Sequence, residues 1–115
     1  MYAIIKRPGE KPVEEAIEFT PEFFKEYFGD VVTGTYCIGF LGVNVYFVLD
    51  PKTEPANFTL WDISFYGNVL ITGGKPNGEP CSIDPKDARF IKTYIKSYEA
   101  PKKRTRFKEV TICDY

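Results

Sequence analysis

Among the residues able to do chemistry, one type is missing: the 115-residue chain has no histidine. That removes Ser-His-Asp and Cys-His nucleophile activation, imidazole metal ligation and the commonest general base. Three cysteines remain, Cys37, Cys81 and Cys113, widely spaced and without a Cys-x-x-Cys pair. Such a set makes neither a disulfide framework nor a zinc site, and it fits a reducing, cytoplasmic setting. Cys37 and Cys81 lie in apolar runs and are expected in the core. Glu14 and Glu18 share a strand face but stand about 13 Å apart at roughly 3.3 Å per residue, beyond the ~5–10 Å of a glycosidase pair. With Glu15 they read as charges guarding a sheet edge. Gly73-Gly74-Lys75-Pro76-Asn77-Gly78 has the composition of a phosphate loop in the wrong order, and Pro76 lacks an amide that a phosphate cradle uses. A hairpin connection is the reading. No catalytic residue, metal ligand or cofactor is expected.

What the chain does offer is polarised charge and many rings. Net charge is −1, with 15 basic and 16 acidic residues. Nine basic and two acidic residues fall between Lys86 and Lys108, about +7, which leaves about −8 elsewhere. Polarity of this kind points to a charged partner. Arg89, Lys92 and Lys96 recur at helical spacing on one face. Lys102, Lys103, Arg104 and Arg106 extend that face along the chain. Aromatics make up 17% of the residues, enough to serve a binding surface as well as a core. Trp61, with Phe58, Phe65 and Tyr66, follows a Pro-rich loop and is a candidate contact if exposed. Tyr94 and Tyr98 lie near the basic face and can add stacking or join the core.

These side chains must be carried by short elements. Tyr2–Lys6 and Val13–Phe19 read as a hairpin around Arg7–Pro12. Thr20-Pro21-Glu22 starts a helix that ends at Gly29, with Phe23, Phe24, Tyr27 and Phe28 as its apolar stripe. Val31–Phe40 and Val43–Leu49 read as paired strands turning at Leu41-Gly42, with Gly34 and Gly39 marking a bulge or bend. Phe58–Phe65 fits a strand or a short helix. Val69–Thr72 and Cys81–Ile83 flank the glycine-rich turn. Asp84-Pro85-Lys86-Asp87 caps a second helix running to about Tyr98, with Ala88, Ile91, Ile95 and Tyr98 inward and Phe90 and Tyr94 widening that face. The expected fold is a single α+β domain, with a mostly antiparallel twisted sheet of five to seven strands and two helices packed on one face. Residues 1–98 form its core. Residues 99–115 are a basic linker followed by a strand or tail.

The run Ile4–Pro12, then Gly42-Val43 and Asp50-Pro51, then Val69–Gly74 and Cys81-Ser82-Ile83 before the closing helix, resembles the domain of unknown function 3846 family over residues 1–98. The resemblance implies an accessory protein of bacteriophages or mobile elements and transfers no catalytic residue. With the missing histidine and polarised charge, it leads to the expectation of a non-enzymatic protein that binds a host protein, such as a component of a CRISPR or other anti-phage defence system. The alternative is a binder of nucleic acid or a signalling nucleotide through the basic, aromatic C-terminal surface. Arg89, Lys92, Lys96, Lys102, Lys103, Arg104, Arg106 and Trp61 are the expected contacts. No membrane partner is expected, and the chain is read as a monomer or homodimer.

Overall fold

The computed structural model describes residues 1–50, 54–60 and 63–97, with side chains through residue 95. The chain opens with β1 (Tyr2–Lys6) and β2 (Val13–Ala16), paired antiparallel with Ala3 opposite Glu15. Helix α1 (Pro21–Phe28) follows. Its Thr20 cap accepts a hydrogen bond from the Phe23 amide at 3.1 Å, and Gly29 closes it at φ 84°. Positive φ is open to glycine at little cost, so the helix stops there. Strands β3 (Thr33–Ile38) and β4 (Val43–Val48) then form a hairpin. Strands β5 (Ala56–Leu60) and β6 (Ile63–Tyr66) form a second, separate hairpin. Strand β7 (Val69–Gly74), the two-residue β8 (Pro80–Cys81) and helix α2 (Pro85–Ser97) complete the described chain. Asp84 caps α2 by accepting from the Lys86 amide at 2.8 Å.

The main sheet has six strands in the order β2-β1-β7-β4-β3, with β8 paired to the end of β7, and every pairing is antiparallel. The α+β class and the strand number agree with expectation. The placement of the helices does not: they cover opposite faces. Alternate residues of the central strands divide between two cores. Ile4, Val43, Val45, Phe47, Val69 and Ile71 pack with Ala88, Ile91 and Ile95 of α2. Ala3, Ile5, Tyr46, Val48 and Leu70 pack with Tyr27 and Phe28 of α1. The physical reason is visible in β4, all six of whose residues are buried. A strand apolar on both sides needs a cover on both sides. The β5–β6 hairpin shares the α2 face, where Phe58 and Phe65 are buried and Phe65 meets Phe47 edge-on at 5.0 Å.

Three local expectations also change. Phe58–Phe65 is neither one strand nor a helix, since β5 ends at Leu60 and β6 starts at Ile63. Gly34 makes no bulge: the β3–β4 register runs unbroken from Thr33 opposite Val48 to Ile38 opposite Val43. The chain reverses over Gly39–Gly42, with Gly42 at φ 65°. Gly73 and Gly74 are needed for close approach. A Cβ on Gly73 would stand 2.5 Å from the Ser82 carbonyl oxygen, and one on Gly74 would stand 2.5 Å from Asn44 Oδ1.

Candidate functional site

Helix α2 carries the basic strip expected from the sequence, but the face it turns to solvent is a different one. Residues Lys86, Arg89, Phe90 and Thr93 are all exposed. Their spacing of three, four and seven places them on one stripe. Ala88, Ile91 and Ile95 point into the core, as their own spacing requires. Phe90 is 53% exposed and stacks on Tyr94, with ring centroids 6.0 Å apart and planes 14° from parallel. Tyr94 is half-buried against the α2-side core. The outcome is an aromatic pair, anchored at its inner ring, with the Arg89 guanidinium and the Lys86 ammonium on the same outer stripe. An exposed ring beside arginine is the composition of a protein-binding hot spot. The sequence reading placed Phe90 on the buried face; at the edge of an apolar stripe, periodicity alone does not decide which way a residue turns.

Lys92 belongs to the expected strip but is engaged elsewhere. Its ammonium pairs with the Glu14 carboxylate at 2.5 Å, and both side chains are about one-third exposed. The pair ties α2 to the β2 edge and neutralises charge that the strip was expected to present. Arg89 is exposed as anticipated. Lys96 lies within α2, and only its backbone is described. Trp61, Lys102, Lys103, Arg104 and Arg106, with the whole 99–115 segment, lie outside the described residues.

A second feature sits where two turns meet at one end of the sheet. Gly39–Gly42 and Lys75–Gly78 border a cleft of about 590 Å³ with Cys37 and Asn44 in its wall. Asn44 is buried; its Nδ2 donates to the Tyr46 hydroxyl at 3.2 Å and to the Gly78 carbonyl at 3.0 Å. It therefore pins the glycine turn onto the sheet. Burial pushes the Tyr46 hydroxyl above its ordinary pKa, partly offset by its hydrogen bonds with Asn44 and Thr72. Among the described residues, the lining contains no carboxylate. Lys75 is exposed at the rim and Pro76 follows it. The turn is closed by its own bonds, Lys75 N to Glu79 O and Gly78 N to Lys75 O, both 2.8 Å. As the sequence implied, it is a hairpin connection.

At the opposite end of β7 a buried polar cluster holds the layers together. The Tyr27 hydroxyl donates to the Val69 carbonyl at 2.7 Å. Burial raises the Tyr27 pKa strongly, against a smaller opposing pull from the Arg7 guanidinium, which stands 5.3 Å from the ring centroid. Asn57, at the register shift of β5, turns inward and donates to the carbonyls of Lys6 at 2.9 Å and Gly67 at 2.7 Å, while its Oδ1 has no partner. Lys6 is fully buried, and its Nζ donates to the Arg7 carbonyl at 3.0 Å. Sequence reasoning missed Lys6 and Asn57. Lys6 continues the alternation of Ile4 on β1, which is the one signal that would have found it.

Among the described residues, no group of three or more Cys, Asp or Glu side chains is arranged to hold a metal ion. Among the same residues, no helix is long and apolar enough to cross a membrane. Cys37 and Cys81 are half-buried rather than fully buried core. No family model matches the chain, and no curated protein or solved structure matches it either.

Proposed function

We propose that this protein works by binding rather than by catalysis, as a cytoplasmic accessory factor of a bacteriophage or mobile element. Its partner in this reading is a host protein of a CRISPR or other anti-phage defence system. The phage setting rests on the motif order that resembles the domain of unknown function 3846 family. The binding surface rests on one observation: the exposed Phe90, stacked on Tyr94 and sharing an outward stripe with Lys86 and Arg89. A half-exposed phenylalanine gives up solvent contact when covered, and the flanking cations select an acidic partner surface.

The test is capture from a bacterial lysate with the native chain and with a Lys86→Glu/Arg89→Glu/Phe90→Ala variant. All three side chains are exposed, so the variant should fold. The expected result is a host protein retained by the native chain and lost by the variant. Equal capture by both removes the α2 face from the reading.

The same ring pair favours one other partner class. A base can stack on Phe90 while Arg89 and Lys86 meet phosphates, as in single-strand and nucleotide binders. In that case the purified protein carries nucleotide absorbance or binds single-stranded DNA with steep salt dependence. Neither signal, together with retained protein capture, leaves the first reading standing.

A further inference from the structure

The cleft where the two turns meet is more than a gap in the packing. Its volume of about 590 Å³ falls within the ~300–1,000 Å³ of small-molecule sites. The turns at its mouth are exposed at Gly39 and at residues 75–78. None of its described lining residues belongs to α2.

Asn44 brings to this cleft a group that the fold does not use. The residue is 2% exposed. Its Nδ2 makes both of its side-chain hydrogen bonds, to the Tyr46 hydroxyl and the Gly78 carbonyl. A carbonyl only accepts, so the bond to Gly78 fixes which amide atom is nitrogen and which is oxygen. Oδ1 is left without a hydrogen bond among the described residues. It stands over Gly74, 2.5 Å from where a Cβ there would be, and both residues line the cleft. Among the described residues, the side-chain oxygen that is both unpartnered and sealed from solvent belongs to Asn57, so Asn44 Oδ1 opens into the cleft. Buried acceptors are ordinarily bonded. This one is placed to accept from a donor that arrives from solvent.

The walls around it are backbone. Gly42, Gly74 and Gly78 carry no side chain, and Gly42 and Gly78 stand at φ 65° and 89°, where other residues are strained. Bare peptide faces admit a flat group edge-on to the amide. At the mouth, Lys75 has no ion-pair partner among the described residues. Glu79, the acid closest to it in sequence, is held by Asn77 Nδ2 at 3.0 Å. We propose that the cleft binds a small planar heterocycle with an N–H donor on its edge and an anionic tail, the class of a nucleoside monophosphate. The base edge donates to Asn44 Oδ1, its faces lie against the glycine peptides, and the phosphate meets the Lys75 ammonium. One buried acceptor and one exposed cation give a dissociation constant on the order of 100 µM.

Titration of the full-length chain with each of the four ribonucleoside monophosphates, followed by amide NMR, tests this. The expected result is that at least one binds and shifts the amides of Gly39, Gly42, Gly74 and Gly78. Gly39→Leu should abolish binding with an unchanged circular dichroism spectrum, because open space surrounds that position and the new side chain fills the mouth. Lys75→Glu, also at an exposed position, should weaken binding about tenfold. Methylating the base N–H groups of the nucleotide that binds should weaken it about tenfold or more, since Asn44 Oδ1 then loses its donor. The Lys86→Glu/Arg89→Glu/Phe90→Ala variant should bind as the native chain does. Failure of all four nucleotides at millimolar concentration overturns the proposal. So does binding that survives Gly39→Leu, binding indifferent to base methylation, or binding lost only in the α2 variant. The last result would assign the nucleotide to the α2 face, and the other failures leave that face untouched.

Discussion

Replacing Tyr27 by phenylalanine should be costly at neutral pH and harmless in alkali. The ring is buried between α1 and the sheet, where it stacks on Phe23 at 5.5 Å and meets Phe28 edge-on at 4.8 Å. Phenylalanine keeps that packing and removes only the hydroxyl, which donates to the Val69 carbonyl. Losing one such buried bond costs about 1 kcal/mol. The hydroxyl also titrates. Burial holds its folded-state pKa well above the ordinary tyrosine value, and the Arg7 guanidinium offsets this only in part. A raised folded pKa gives stability that is complete below the unfolded pKa of about 10 and falls as pH rises beyond it, by about 1.4 kcal/mol per unit. The native chain carries this penalty and the variant does not. The two effects cancel at about pH 10.7, where the loss from ionisation in the unfolded chain reaches about 1 kcal/mol. Other tyrosines, Tyr46 included, titrate alike in both proteins and drop out of the difference. Urea unfolding of both proteins at neutral pH and at about pH 11 reads this directly. A stability difference that stays constant between the two pH values would show that Tyr27 is not held protonated by its surroundings, and the account of the α1 contact would fail.

Three further outcomes test the contacts that shape the molecule. Gly73→Ala should lower stability by about 1–3 kcal/mol, because its methyl meets the Ser82 carbonyl oxygen at 2.5 Å. Gly39→Ala, with open space around it, should stay within about 0.5 kcal/mol of the native chain in the same urea titration. A double-mutant cycle on Glu14 and Lys92, both to alanine, should give a coupling of about 0.2–1 kcal/mol that shrinks in high salt. Zero coupling at low salt would return Lys92 to the set of cations available to a partner.

The elements were legible where local rules act alone. Thr20-Pro21 and Asp84-Pro85 announce their helices because a cap and a first-turn proline are signals confined to a few residues. The continuous run of strand-forming residues in β4 was equally plain. A strand apolar on both sides demands two covers, which is why α1 and α2 take opposite faces. The β5–β6 hairpin was hidden because Phe58–Phe65 contains both periods, and the register shift at Asn57 breaks the strand pattern. The candidate site was half legible. The basic character of α2 follows from composition, whereas the diversion of Lys92 depends on Glu14, 78 positions away in sequence. Contacts of that range are set by packing, and no window of sequence contains them.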